Sequence, residues 1–306
     1  MKPIKNPIIP GSNTDRTGSR EILRSALKEI DRRFAGLQSD VLALFGRIPV
    51  YSLNDSAMPV AYGMTPQQLE QLSVELQETL ARWISEGKDA ADFFWWDTYS
   101  SQATQSGTAQ SVANLSRLSD AYARARSLAQ IINSTPYRTR LAISKIKSYE
   151  HWAGLAYQTK SDLAQIIGRA IVDGKNPAAV RDEIAAKLDV SKAKAAQYAQ
   201  TDITDTLRQA KWAEDDEAEK TFGFQVRELW TSALLPTTRT THAARHGRVY
   251  TREQVRDFYD RDGNRYNCHC ATTACLIDEN GRPILSGKLK ATMSAVRDTW
   301  ERDNKK

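Results

Sequence analysis

The residues best suited to chemistry are concentrated in one short stretch, residues 230–277. Three of the four histidines and all three cysteines lie between positions 242 and 275. They are His242, His246, His269, Cys268, Cys270 and Cys275. Imidazole nitrogen and thiolate sulfur are ligands that zinc prefers, and both groups also serve in catalysis. The stretch predicts either a metal or catalytic site, or a small compact subdomain whose polar residues fix turns.

Four of these residues form two pairs with metal-ligand spacing. If Cys268 and Cys270 lie on a strand, its period of two places both sulfurs on one face. If His242 and His246 lie on one helical turn, their four-residue step does the same. The two pairs could then surround a tetrahedral zinc ion. Cys-x-Cys is less usual for zinc than Cys-x-x-Cys, however, so we expect no cofactor and keep zinc as the alternative.

A structural role is the favoured interpretation of the same residues. Cys268 and Cys270 would be small buried apolar side chains, and His242 and Asn267 would hydrogen-bond to backbone in the turns. A zinc deaminase needs a glutamate two residues after its histidine, where this chain has Ala244. The sequence also lacks a glycine-rich phosphate loop, which excludes a nucleotide-driven motor of that type. We therefore expect no enzymatic activity; the alternative is a metal-dependent nucleic-acid hydrolase built on His242, His246, Cys268 and Cys270.

Basic side chains surround the same stretch and suggest contact with DNA phosphates. The net charge is +6, and positions 239 to 265 hold seven arginines against four acids. Arginines on a small rigid unit suit non-specific phosphate contact. The candidates are Arg245, Arg248, Arg252, Arg265, Lys288 and Lys290. The alternative is that the arginines pair with the interleaved acids and only solubilise the surface.

Composition also limits the compartment. Three cysteines cannot all pair within one chain, and the N-terminal residues lack the apolar run of a signal peptide. Both features favour synthesis in a reducing cytoplasm. The sequence has no run of eighteen apolar residues, so we expect no membrane span.

The N-terminal half is expected to be helical. Residues 1–18 carry three prolines and two glycines and predict an irregular arm, followed by a helical region over residues 19–140. From Leu23 to Leu44, apolar residues recur every three or four positions and form one helical seam. That seam packs inside its own domain or mediates self-association. Residues 92–99 are dense in aromatics and predict a core anchor, with an oligomer or partner contact or base stacking as the alternatives, whereas residues 100–116 predict a weak helix or an exposed linker.

Residues 141–280 are expected to form a helical domain with a small, few-stranded β-sheet near its C-terminal end. A helix ends at Gly174, a second begins at Pro177, and Ser191 caps a third whose charged run, residues 213–220, is its solvated end. Seven basic residues between positions 117 and 147 predict a phosphate-facing surface or a solvated helix face. Strands are predicted at residues 222–230 and 268–277. A basic helical tail follows at 281–306, so the fold class is α+β, predominantly α-helical.

The run from Leu141 to Leu276 resembles the phage Mu F-like minor head proteins, also called the phage head morphogenesis family. Its helix with Thr201 and Asp202 resembles the Ala-x-x-Ile-Ala-Arg-Thr-Glu helix of that family. A strand leads to Trp230, and the motifs Arg-x-x-His-x-x-x-x-Gly and Asn-Cys-Arg-Cys follow. Their counterparts are Arg239, His242, Gly247, Asn267, Cys268 and Cys270. Three features depart from the pattern: Leu234 and Leu235 replace a Gly-Asp pair, a proline pair that often precedes the Asn-Cys motif is missing, and His269 replaces an arginine.

The resemblance implies a virion protein made in the host cytoplasm and held in few copies at the portal vertex inside the phage head. Such proteins act in head morphogenesis, and some members take part in DNA packaging or ejection. The implied partners are the phage portal protein, double-stranded DNA, and capsid or scaffold proteins. The N-terminal 140 residues lie outside the resemblance, and we assign them portal contact or self-association as a hypothesis. A third alternative is an oligomeric helical scaffold without DNA contact.

Overall fold

The computed structural model describes residues 4–9, 11–12, 15–52, 60–85 and 94–304. Over these ranges the chain is mainly α-helical, with two small antiparallel sheets, the larger near the C-terminal end. The predicted α+β, predominantly helical class is therefore confirmed. Among the residues described, no helix is long and apolar enough to cross a membrane.

The chain forms two compact units, and each is built from separate pieces of sequence. The first, here the terminal unit, comprises the described residues of Met1–Leu23, Tyr99–Ser144 and Gln200–Lys306. The second, the middle unit, comprises those of Arg24–Thr98 and Lys145–Ala199. Neither unit begins or ends at the expected boundary between residues 140 and 141, because helix α6 (Thr135–Asp173) runs through that position.

Most of α1 (Arg20–Gly46) belongs to the middle unit, and the apolar seam of this helix is buried. Ile30, Phe34, Leu37 and Val41 are all buried, as the intradomain interpretation requires. A β-hairpin of β1 (Val50–Ser52) and β2 (Val60–Tyr62) follows. Helix α2 (Pro66–Leu80) continues into a π-helical turn (Ala81–Ser85). Phe93, the first aromatic of residues 92–99, lies outside the described residues.

A tryptophan cluster forms part of the core of the middle unit. Trp96 and Trp152 are 1% and 0% exposed, and their ring centroids lie 4.8 Å apart. Trp95 packs edge-on against Trp152 at 4.8 Å and donates its indole N–H to the carbonyl oxygen of Ile84. The described part of the aromatic run is therefore a core anchor, as predicted.

The run expected to be a weak helix or a linker is a buried helix, α3 (Asp97–Leu118). Its small residues allow close approach: a Cβ added at Gly107 would lie 2.1 Å from the carbonyl oxygen of Leu207. Several serine, threonine and asparagine side chains of the same helix are buried. Among them, Asn114 donates a hydrogen bond to the carbonyl oxygen of Ala274 at 2.8 Å. The linker alternative was wrong because close packing of small residues, not apolar periodicity, holds this helix. Short helices α4 (Asp120–Ala125) and α5 (Leu128–Ile132) follow.

Two long helices occupy the centre of the sequence. Helix α6 ends before Gly174, which has φ +62°, and Asn176 caps α7 (Pro177–Phe222) by accepting the amide of Ala178. The end of α6 and the start of α7 both confirm the prediction. The predicted cap at Ser191 was wrong, because α7 continues through it. Ser191 is buried and its hydroxyl accepts from Thr159 at 3.0 Å.

The charged run at residues 213–220 is not a solvated helix end. Glu214 and Asp215 are 0% and 1% exposed. Glu214 accepts a hydrogen bond from Tyr122 at 2.8 Å and forms ion pairs with Arg126 and Arg140. The prediction was wrong because these acids face cations on neighbouring helices. Two of the seven basic residues between positions 117 and 147 are consequently used inside the fold.

The three-stranded sheet of the terminal unit has the order β4–β3–β5 and is antiparallel. Strand β3 (Val226–Thr231) is central, flanked by β4 (Val249–Tyr250) and β5 (Ala271–Leu276). Between them lie α8 (Thr240–Ala243) and α9 (Arg252–Asp260), and α10 (Gly287–Asn304) follows as the predicted tail helix. Phe222 ends α7, and β5 begins at residue 271. Cys268 and Cys270 therefore precede the strand, which corrects the predicted limits.

Candidate functional site

The strongest candidate site joins α8 to the loop before β5. His242 lies on α8, Cys268 and Cys270 lie in the loop, and all three are at most 3% exposed. The Nδ1 atom of His242 is 3.5 Å from the Cys268 sulfur and 3.7 Å from the Cys270 sulfur. The nitrogen and both sulfurs lie within 4.8 Å of one another. We refer to these residues as the His-Cys-Cys group.

A buried amide fixes the orientation of the imidazole. The other ring nitrogen of His242, Nε2, lies 3.2 Å from Oδ1 of Asn264. The amide nitrogen of Asn264 donates to the carbonyl oxygen of Phe258 at 2.9 Å, so its oxygen must face the histidine. Nε2 therefore carries the proton, and the lone pair of Nδ1 points towards the sulfurs.

The surroundings of Cys268 favour a thiolate. The hydrogen bond from Cys270, with a smaller effect from the charge of Arg208, holds the pKa of the Cys268 thiol well below its usual range, although burial opposes this. The Cys270 backbone amide also points at the Cys268 sulfur, at 3.4 Å. The hydrogen bond to Cys268 and burial raise the pKa of Cys270 well above its usual range. The pair thus favours one negative charge on Cys268 and a proton on Cys270.

The His-Cys-Cys group lines a surface pocket of about 350 Å³. Its other lining residues are Ala233, Leu235, Thr237, Thr238, Arg239, Asn267 and His269. None of these lining residues carries a carboxylate. Leu235 occupies the position where the sequence resemblance has an aspartate, and Leu234 beside it has φ +53°, a backbone conformation that glycine adopts more readily.

The motif residues selected from the sequence support this pocket from several sides. Arg239 donates to the carbonyl oxygen of Tyr266 at 2.9 Å. Asn267 has φ +51°, and its backbone N–H donates to the hydroxyl of Thr201 on α7 at 3.3 Å. Trp230 is fully buried on β3 and stacks on Tyr259 with 5.2 Å between ring centroids. These contacts join the motifs, which are far apart in the sequence, into one structural unit.

Gly247 is required by both conformation and space. Its φ is +75°, and a Cβ added there would lie 2.8 Å from the Cβ of Met293 on α10. Its amide donates to the carbonyl oxygen of Trp230 at 2.9 Å. Glycine at position 247 therefore allows the turn between α8 and β4 to pack closely against α10.

His246 lies outside the His-Cys-Cys group, so only three of the four proposed metal ligands come together. Its Nδ1 accepts the backbone amide of Ser232 at 3.0 Å. Burial, with smaller effects from the charges of Arg16 and Arg297, lowers the pKa of His246 to about 4. The four-residue step between the histidines does not bring their rings to one face, because α8 ends at Ala243.

The six candidate DNA contacts fall into two classes. Arg252 is 6% exposed and pairs with Asp216, Glu219 and Glu228, so it is not available to phosphate. Arg245 stacks 3.8 Å from the ring centroid of Phe258 and Arg265 pairs with Asp260, so both are engaged within the fold. The remaining three are exposed: Arg248, Lys288 and Lys290.

Sequence reasoning missed a group of charges buried beneath the sheet. Lys211 on α7 donates to the carbonyl oxygen of Thr272 at 2.6 Å, and Glu228 on β3 is fully buried beside Arg252. Burial, followed by the charge of Glu228, raises the pKa of Asp215 to about 8. The only sequence signal was helical spacing: Lys211 and Asp215 lie one turn apart on the face that also buries Arg208.

Residues 161–273 match the family model described as phage Mu protein F like protein. The chain therefore carries a phage Mu F-like domain. The match contains α8, the His-Cys-Cys group and most of the three-stranded sheet, and it supports a protein of phage head morphogenesis. The comparisons with curated proteins and with solved structures gave no match.

The phage Mu F-like match also crosses the division between the two compact units. Of its 113 residues, 161–199 lie in the middle unit and 200–273 in the terminal unit. Helix α3 of the terminal unit lies outside the match, yet it packs against residues within it, including Leu207 and Asp215. The matched segment is thus completed by sequence that precedes it in the chain.

Proposed function

We propose that this chain is a non-enzymatic minor head protein that acts in phage head morphogenesis, bound to the portal protein inside the head and touching packaged DNA. The observation that carries the proposal is the phage Mu F-like match over residues 161–273, whose motif residues form one packed unit around α8. The proposed location is the virion, at the portal vertex, after synthesis in the host cytoplasm.

The pocket chemistry supports the non-enzymatic role. A hydrolase needs a general base within reach of its nucleophile, and carboxylate or imidazole usually supplies it. The lining residues include no carboxylate, the imidazole of His269 is exposed to solvent, and Nδ1 of His242 is directed at two sulfurs that are almost completely buried. The second candidate, a metal-dependent nucleic-acid hydrolase, is favoured only by the His-Cys-Cys group. Cleavage of DNA or RNA by the purified chain with added zinc or manganese, lost in Cys268→Ser, would establish that candidate instead.

Portal contact needs a surface that folding does not use, and α6 offers one in the middle unit. Ile146 and Tyr157 are 64% and 75% exposed, and Tyr149, whose ring packs edge-on against Phe94, is 42% exposed. With Ala153 they recur at steps of three, four and four, so they share one side of the helix. Large apolar side chains exposed in a row are typical of protein contact sites. We assign this α6 stripe to the portal protein; the seam of α1, by contrast, is buried.

Co-purification of the full-length chain with the portal protein of its own phage tests this assignment. The variant carrying Ile146→Glu and Tyr157→Glu should lose portal binding while keeping its melting temperature, because both side chains are exposed. Val172→Glu is the matched control: it is an 84% exposed apolar residue on the same helix, about 22 Å beyond Tyr157. Retention of binding by the double variant would refute the assignment to the stripe.

DNA contact is assigned to a basic cleft of the terminal unit. The cleft has a volume of about 410 Å³, and its lining includes Arg227, Arg248 and Lys290. Two of these, Arg248 and Lys290, are exposed and were selected from the sequence as phosphate contacts. Lysine and arginine contacts to phosphate release condensed counterions, so affinity for DNA must fall as salt rises.

The salt dependence of binding to double-stranded DNA tests this surface. Changing Arg248 and Lys290 to Gln should reduce the slope of log affinity against log salt by about 2. The control variant changes Lys28 and Lys220 to Gln, which alters net charge equally at exposed positions that do not line the cleft. Wild-type affinity that is flat with salt would exclude DNA contact and favour the oligomeric scaffold. Equal slopes in the two variants would move the contact away from this cleft.

A further inference from the structure

We propose that His242, Cys268 and Cys270 bind one zinc ion, through Nδ1 of the histidine and the sulfurs of both cysteines, with solvent from the adjoining pocket as the fourth ligand. The site would connect α8 to the loop before β5. The proposal rests on the geometry of these residues and does not depend on the role of the chain in phage heads.

The distances within the group fit a tetrahedral ion. With bonds of about 2.3 Å to sulfur and about 2.0 Å to nitrogen, tetrahedral angles place a ligand nitrogen about 3.5 Å from each ligand sulfur. The corresponding separations here are 3.5 Å and 3.7 Å. Both nitrogen–sulfur separations thus already match those that zinc requires, and the two sulfurs lie within 4.8 Å of each other.

The imidazole is held as a metal ligand is held. A histidine that binds a metal usually donates its other ring N–H to an oxygen atom, which fixes the tautomer and the ring orientation. Nε2 of His242 faces Oδ1 of Asn264, and Asn264 is itself held by the carbonyl oxygen of Phe258. This arrangement leaves the unprotonated Nδ1 directed at the sulfurs, where a cation would lie.

The ligand types select zinc among common divalent ions. Two thiolates and an imidazole are soft or borderline donors, whereas magnesium, calcium and manganese prefer oxygen. Two thiolates also neutralise the charge of a divalent cation, which limits the cost of burying it. Arg208 is buried nearby and pairs with Asp205 at 3.2 Å, so it does not depend on the thiolates for a counterion.

Neither remaining histidine of the stretch is needed for coordination. His246 accepts the amide of Ser232, and His269 is exposed and lies outside the group. All three ligand residues line the pocket, so the open side of the ion would face it. A zinc site with three protein ligands ordinarily completes its shell with water.

The competing explanation is a set of sulfur–imidazole hydrogen bonds without metal. Zinc content distinguishes the two. The untagged full-length chain, purified with a phosphine reductant and dialysed against equimolar zinc, should retain one zinc per chain by mass spectrometry of the metal. His269→Ala and Cys275→Ala should retain it, whereas Cys268→Ser and Cys270→Ser should lose it. Absence of zinc from the wild-type chain would overturn the proposal, and so would its loss in Cys275→Ala.

Cobalt substitution provides a measurement that does not depend on the folding of any variant. Cobalt(II) added to the metal-free wild-type chain should give thiolate charge-transfer absorption and the intense visible bands of tetrahedral coordination, and zinc should displace both. Asn264→Ala should weaken zinc binding about 10- to 100-fold, because it removes the support of the imidazole. Cobalt binding without thiolate absorption would refute the assigned ligands, and unchanged affinity in Asn264→Ala would refute the positioning role.

Discussion

At the scale of single residues, the terminal unit depends on buried polar groups with one specific partner each. His246 is the clearest case, since it is 2% exposed and accepts the amide of Ser232 through Nδ1. This hydrogen bond requires the neutral ring. The charged groups facing it, Arg16 and Arg297, are cations that disfavour a second positive charge.

Stability should therefore fall in acid through His246. Its pKa is about 4 when folded and near 6.5 in the unfolded chain, so below pH 6.5 the unfolded state binds more protons. The contribution is complete above pH 6.5 and is lost as pH falls towards 4, amounting to about 3 kcal/mol. His246→Asn keeps an acceptor near the Nδ1 position and cannot be charged. Urea denaturation at several pH values should show a weaker loss for this variant than for the wild type; equal losses would contradict the assignment.

The His-Cys-Cys group shows how much of the candidate site could be predicted from residue types alone. Cys268 and Cys270 were selectable because cysteine is rare in this chain, and His242 because it lay in a resembled motif. His246 could not be distinguished from His242 by spacing, since its role depends on α8 ending at Ala243. Asn264, which orients His242, was invisible because a buried amide leaves no pattern in the sequence.

At the scale of elements, helices with an apolar periodicity were predictable and those without it were not. The ends of α6 and the start of α7 followed from Gly174, Asn176 and Pro177. Helix α3 was missed because its packing uses Gly107 and small polar side chains. Ser191 has the chemistry of a cap, yet its hydroxyl accepts from Thr159 inside a continuous helix.

Close packing at Gly107 predicts a contrast between two glycines in helices. Gly107→Ala should destabilise the chain by about 2 kcal/mol or more, because the added methyl group would meet the backbone of Leu207. Gly154→Ala in α6 is the matched control: a Cβ there meets no atom within 4 Å, so the variant should gain about 0.5 to 1 kcal/mol. Thermal denaturation of both variants measures the difference. Equal effects would show that α3 and α7 do not approach this closely.

At the scale of the whole molecule, segments that lie far apart in the sequence belong to the same compact unit. The terminal unit combines the described residues of three separate segments, and helices α6 and α7 each contribute to both units. A linear division at residue 140 was the natural expectation, since the resemblance begins there. It could not reveal that Ser111, upstream of that boundary, bonds to Asp215 within the matched segment, or that Asn114 bonds to Ala274 directly after it.

A fragment comprising residues 141–306 should therefore fail to fold cooperatively, although it contains the entire phage Mu F-like match. Removing α3 would expose buried side chains of α7 and leave Asp215 without its hydrogen bond from Ser111. Circular dichroism should show a broad, weak thermal transition and hydrogen exchange should show little protection. A sharp transition with strong protection would mean that the matched segment is an autonomous domain.

The central claim is that this chain is a head protein located at the portal, and protein mass spectrometry of purified heads tests it most directly. Heads assembled by its phage should contain the chain in few copies, and heads assembled without the portal protein should lack it. The chain's absence from complete heads, or its presence at equal level in portal-less heads, would contradict the account.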